Sequence, residues 1–248
     1  MDIDNFSNSE EGKLLEEKLI EAYERISPGN GVKVTIFDTE DDADDFLYEF
    51  FGLMHYYAFR GTIAVNTFST EPPSIIAILG KVRSELPATV DYIAAHEVSH
   101  LKDIELLQST PELEMKYRNA FLEQSEERET LFKGLETYAG DYIINICMDS
   151  LANETAIENG YGNEILAAFE WYIQHFDNHF SENPWESAYF PITCEILKQH
   201  NEFKERAQEL QDNYFEIIKK EQLILEIADK KLYKDPEQVF QFLTNKSV

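Results

Sequence analysis

Ala94-Ala95-His96-Glu97-Val98-Ser99-His100-Leu101 is the stretch from which the rest of the chain is best read. Residues four apart stand on one face of a helix, so the imidazoles of His96 and His100 can converge on one metal ion, with the Glu97 carboxylate beside the open position. Neutral imidazole suits zinc, and a third protein ligand leaves one place for water. At such a site a carbonyl is polarised and the water is acidified toward neutrality, and a carboxylate at position 97 can take the water's proton and pass it to a leaving amine.

Working outward, Val90, Ile93, Ala94, Val98, Leu101 and Ile104 recur at helical spacing and form one buried arc, with both histidines at its edge. The pattern predicts a helix over Val90 to Leu107, opened near Pro87 and stopped by Ser109-Thr110-Pro111. The competing reading is a pair of packed or solvent-facing histidines beside a surface glutamate.

Composition narrows the class. A chain of 248 residues with 43% apolar content, 17 Phe and 13 Tyr can build a large core, so we expect a single domain over 1–248, with a core around the histidine motif at about 32–160 and a helical part at 163–248. Cys147 and Cys194 fall in apolar helical patterns and read as buried reduced thiols rather than a disulfide. No leader-like opening and no apolar run of the ~18 residues needed to cross a bilayer is present, which points to a cytoplasmic protein that uses no membrane. A formal net charge of −27 repels phosphate backbones and disfavours nucleic acid, while leaving a basic protein partner open.

In chain order, Met1 to Glu11 is polar and reads as a frayed end. Lys13 to Ile26 reads as a helix closed by Ser27-Pro28-Gly29-Asn30-Gly31, and Val32 to Phe37 as a strand. Asp38 to Asp45 holds six acidic residues in eight positions. It lacks the glycine-centred spacing of a calcium loop and reads as a solvated helix start. A helix is expected over Asp44 to Phe59 and a strand over Gly61 to Asn66, the latter placed to pair with an extended substrate; Ser74 to Leu79 is left open between strand and helix. Pro111 to Phe132 reads as an amphipathic helix, and Gly134 and Gly140 bracket a break.

The second informative stretch is Asn145-Ile146-Cys147-Met148-Asp149-Ser150-Leu151-Ala152-Asn153. Asn145, Asp149 and Asn153 advance only about 40° per step and share one face of an otherwise apolar helix. A polar row there needs a partner, and a metal with its histidines would be one. Together with His96-Glu97-x-x-His100 and the upstream Gly61-Thr62-Ile63-Ala64-Val65-Asn66, it resembles the zinc metallopeptidase domains associated with von Willebrand factor A-like domains, over roughly Arg60 to Asn153. Cys147 departs from that family's pattern, which has a small alanine there. The resemblance implies a zinc site and, with it, peptidase chemistry.

For the third ligand the anionic, mid-row Asp149 is favoured, with Asn145 and Asn153 orienting it; Glu154 and Glu158 remain rivals, at least about 140° around the helix. Asp103 shares the histidine face, and Leu106 excludes the extended motif with a third histidine. Asn159-Gly160-Tyr161-Gly162 reads as a helix cap, and Asn163 to Phe176 as a helix followed by a loop over Asp177 to Glu186. His175 and His179 are a weaker i, i+4 pair, His55 and His200 stand alone, and Tyr161 or Tyr189 are conceivable oxyanion donors. Ala188 to Tyr233 reads as helical with an interruption at Pro191, and Asp235 to Leu243 as a last helix. The expectation is a mostly helical α+β domain, with a small sheet of Val32 to Phe37 and Gly61 to Asn66, that holds Zn2+ through His96, His100 and Asp149 and hydrolyses peptide bonds with Glu97 as general base. The alternatives are a metal-bound but inactive interaction protein and an acidic protein that binds a basic partner.

Overall fold

The computed structural model describes residues 1–29, 31–39, 41–43, 63–66, 72–82, 86–125, 139–175, 187–217 and 221–245. The helix expected at Asp44 to Phe59, the start of the strand at Gly61, Gly134, His55, His179 and the loop at Asp177 to Glu186 lie outside these residues. The architecture is mostly helical α+β, and packing divides it into two compact units, each built from two stretches of chain: Met1–Ile104 with Thr155–Ala168, and Glu105–Glu154 with Phe169–Val248.

The first unit holds a four-stranded sheet. Its strands are β1 (Asp2–Asn5), β2 (Lys33–Phe37), β3 (Ile63–Asn66) and β4 (Ser74–Ile78), in the order β1-β2-β4-β3. The first three in that order run parallel and β3 is antiparallel to β4. The strands expected at 32–37 and 61–66 therefore do not pair with each other; each flanks β4. All five residues of β4 are buried, as are Val34, Thr35, Ile36 and Phe37 of β2. A strand covered on both faces reads as an unbroken apolar run, which is why Ser74 to Leu79 showed no period.

The N-terminus is not frayed. Asp2 N–H donates to Val32 O and Phe6 N–H to Ile36 O, both at 2.9 Å, and the Phe6 ring stacks on Phe37 at 5.4 Å. An edge strand four residues long and half acidic carries no hydrophobic alternation to betray it. After it, Ser9 caps α1 (Glu10–Ile26) by accepting from Gly12 N–H, and the stripe Gly12, Leu15, Leu19, Ala22 and Ile26 is buried. At the start of the acidic run, Thr39 and Asp42 exchange hydrogen bonds as a capping box over the helical residues 41–43, the solvated helix start that was expected.

A single helical turn, α2 (Leu79–Val82), leads to α3 (Leu86–His100), on which α1 packs. A 3₁₀ turn over Leu101–Asp103 ends α3 at His100, and α4 (Ile104–Ser125) runs straight through Pro111. The expected stop at Ser109-Thr110-Pro111 does not occur. Both hydroxyls fold back on Leu106 O, at 2.9 and 3.1 Å, so the two residues before the proline add side-chain bonds to a stretch that loses a backbone donor.

The second unit is helical among its described residues: α4, α5 (Ala139–Glu158) up to Glu154, the end of α6 (Gly162–Gln174), α7 (Tyr189–Leu197), α8 (Lys204–Ile217), α9 (Glu221–Asp229) and α10 (Pro236–Asn245). Phe240 of α10 stacks on Tyr117 at 5.0 Å and meets Phe121 edge-on at 5.3 Å, while Phe190 lies between Phe169 and Tyr214 at 4.1 and 5.1 Å. Pro191 does not interrupt α7, because it sits in the first turn, where its nitrogen has no helical acceptor to miss. Gly140 is the second residue of α5. A Cβ there would stand 2.3 Å from Glu114 O, so glycine lets α5 approach the backbone of α4.

Gly140→Ala should therefore lower unfolding free energy by about 1–3 kcal/mol, the usual range for overpacking, as measured by urea denaturation. The same contact predicts a pH effect. Burial, then the charge of Asp141, pushes the Glu114 carboxyl up to about 7 from 4.5. Between those values the folded chain holds a proton that the unfolded chain has released, so this group weakens folding as pH rises from 4.5 through 7. Glu114→Gln should shrink the fall in urea midpoint between pH 5 and pH 8; an unchanged fall would remove Glu114 from the account.

Candidate metal centre

The His96-Glu97-x-x-His100 motif sits on a helix with hardly any polar face. Thr89, Val90, Tyr92, Ile93, Ala94, Ala95, Val98 and Ser99 of α3 are all buried, and so are Glu97, at 8% exposure, and His100, at 7%. Only His96 of the three motif residues is half-buried, so the edge expected for both histidines belongs to His96 alone. Burying a carboxylate and an imidazole side by side in an apolar helix is unfavourable unless their polar atoms are engaged.

His96 Nε2 and His100 Nε2 face each other at 3.1 Å, with the rings at 83° and their centroids 4.6 Å apart. Two unprotonated nitrogens so close would repel, so the gap holds a proton shared as a hydrogen bond or a cation that both lone pairs bind. Two imidazoles on a tetrahedral ion at 2.0–2.1 Å have their nitrogens about 3.3 Å apart, close to the observed spacing. With both Nε2 atoms as ligands, each ring carries its proton on Nδ1.

The polar row of α5 divides into three environments. Asn145 is exposed, Asp149 half-buried and Asn153 fully buried. Asn153 Nδ2 donates to Thr193 Oγ1 at 2.9 Å, and that hydroxyl donates to Tyr189 O at 2.8 Å, which ties α5 to the first turns of α7. Thr193 carried no signal in the sequence; only the fold brings it to Asn153. Of the rivals for third ligand, Glu154 pairs with Lys234 at 2.8 Å and Glu158 is exposed. Of the three expected ligands, His96 and His100 belong to the first compact unit and Asp149 to the second. Two imidazoles and a carboxylate are a donor set that zinc accepts.

The other residues singled out by sequence have ordinary roles. His175 stacks on Trp171 at 4.0 Å, with its Nδ1 2.8 Å from Trp171 O, and His200 is exposed beside Phe203. Tyr161 is buried beneath Arg25, while Tyr189 is half-buried in the first turn of α7. Asp103 is half-buried in the turn after His100. Cys147 and Cys194 are free, buried thiols, each pushed well above the usual range by burial. No helix among the described residues is long and apolar enough to cross a membrane.

No protein family, curated protein or solved structure matches the chain. The geometry of the site therefore carries the functional argument by itself.

Titration of the metal-free chain with zinc should give one equivalent bound. His100→Ala and Asp149→Ala should each weaken binding, and Glu154→Ala should leave it unchanged because Lys234 already engages that carboxylate. Binding that survives Asp149→Ala and fails in Glu154→Ala would reassign the third ligand.

Proposed function

We propose that this chain is a zincin-like, zinc-dependent hydrolase of peptide bonds, and the observation that carries the proposal is the convergence of the His96 and His100 nitrogens beside the buried Glu97. His96 and His100 would hold the ion, with Asp149 as the third ligand that the polar row of α5 suggests. Bound zinc supplies polarisation of the scissile carbonyl and acidification of the attacking water. Glu97 takes the proton of that water and delivers it to the departing amine. Its burial beside the imidazoles strengthens its interaction with the water it must orient, since charges interact more strongly away from bulk solvent.

Substrate binding draws on the sheet. β3 is the last strand in the order β1-β2-β4-β3, packs near α3, and pairs only with β4 among the described residues. An extended peptide can add to such an edge through its own backbone, which brings main-chain recognition close to the helix that bears the motif. The net charge of −27 favours neutral or basic peptides over acidic ones.

Glu97→Gln separates binding from chemistry. The variant should keep its zinc and lose about 10²–10⁴ in the rate of peptide cleavage, the usual worth of a positioned proton-transfer group. Cleavage at the wild-type rate by zinc-loaded Glu97→Gln would rule out the general-base role, and the absence of cleavage of any peptide library by the zinc-loaded wild type would leave a metal-binding protein without hydrolase activity.

A further inference from the structure

The row of α3 that carries the two imidazoles begins one turn earlier, at an aromatic residue. Tyr92, His96 and His100 follow one another at four-residue steps, advancing about 40° each time, and their rings meet in series. The Tyr92 and His96 centroids are 5.5 Å apart with the planes tilted at 49°, within the usual range for an aromatic pair, and the His96 and His100 centroids are 4.6 Å apart at 83°. Side chains on a helix lean toward its N-terminus, so His100 rests on His96, and His96 in turn rests on Tyr92.

The three rings are not held equally. Tyr92 is 5% exposed and His100 7%, so packing fixes both, whereas His96 between them is half-buried. A partly exposed imidazole on a helix has about two χ1 wells open to it and a broad, roughly two-fold χ2, which makes about four ring orientations. Convergence with His100 needs the one that aims Nε2 along the row, where the two Nε2 atoms come to 3.1 Å. The Tyr92 ring is the wall on which that orientation rests. All three residues lie on one helix of the first unit, so this geometry asks nothing of α5.

We infer that Tyr92 is a positioning residue of the candidate metal centre: its ring holds the His96 imidazole in the orientation that aims Nε2 at the place a metal ion would share with His100. This rests on the metal-site reading above, though only on its two histidines. Apparent affinity falls in proportion to the fraction of chains whose ligand is already oriented, so a ring released among about four orientations binds about fourfold more weakly. The contact is made by the aromatic face and edge, so the ring is required and the hydroxyl is not.

The test is a set of single variants of the full chain, with zinc affinity read by competition against a chromophoric chelator and metal-free stability by urea unfolding. Tyr92→Leu should weaken zinc binding about fourfold, and Tyr92→Phe should restore the wild-type affinity. Val90→Ala supplies the structural control: Val90 is 4% exposed on α3, about 160° around the helix from Tyr92, so its loss should lower the urea midpoint and leave zinc affinity unchanged. Tyr92→Met, unbranched and without a ring, takes the place of Tyr92→Leu should the leucine variant not fold. Wild-type affinity in the variants without a ring, an equal loss in Tyr92→Phe, or an equal loss in Val90→Ala would overturn the inference while leaving the metal site standing. Failure of the wild type to bind zinc would overturn both.

Discussion

The structure depends on α3 being buried along nearly its whole length while carrying two imidazoles and a carboxylate. Apolar neighbours fix the helix in place, with Leu86, Val90, Ala94, Ala95 and Val98 all at 4% exposure or less. A helix so enclosed cannot rotate to bring His100 or Glu97 to solvent without exposing that core, at roughly 25 cal/mol for each Å² of apolar surface uncovered. The polar groups must therefore be satisfied where they are, and the two Nε2 atoms converge at 3.1 Å as part of that solution. The proposed function draws on the same constraint. Rings held by packing present their nitrogens in a fixed direction, which a metal ion needs and a mobile surface pair would not offer.

The rest of each unit reads as support for such fixed geometry. In the first, α1 lies along α3 through Leu15, Leu19, Ala22 and Ile26, and the parallel core of the sheet gives β2 and β4 two covered faces. In the second, α5 is held at three depths: by Gly140 against the backbone of α4, by Asn153 to Thr193, and by Glu154 to Lys234. Each of these attachments restrains a different degree of freedom of one helix. The close approach at Gly140 limits its distance from α4, the buried amide limits its rotation, and the ion pair adds a weaker surface tether.

The helical spacing of the candidate site was legible in the sequence because it is local. His96, Glu97 and His100 are fixed relative to one another by one helical turn, and Asp149 stood out as an anion within an apolar run. What could not be read were the partners that the fold supplies from a distance, such as Thr193 for Asn153, Lys234 for Glu154 and Arg25 for Gly160. The row of Asn145, Asp149 and Asn153 read as a ligand between two orienting amides, yet Asn145 is exposed and Asn153 donates to Thr193. In the fold, β1 was missed because an acidic edge strand has no apolar face. Pro111 and Pro191 were read as breaks because punctuation residues are judged one at a time. Each is accommodated instead by its setting: hydroxyls bonded back to Leu106, and a place in a first turn.

X-ray absorption at the zinc edge of the metal-loaded chain tests the central claim most directly. The account predicts a light-atom shell at 2.0–2.1 Å, with outer-shell scattering from two imidazoles that drops to one in His100→Ala. A spectrum with no imidazole scattering, or one unchanged by His100→Ala, would contradict it and leave the two rings joined only by a shared proton.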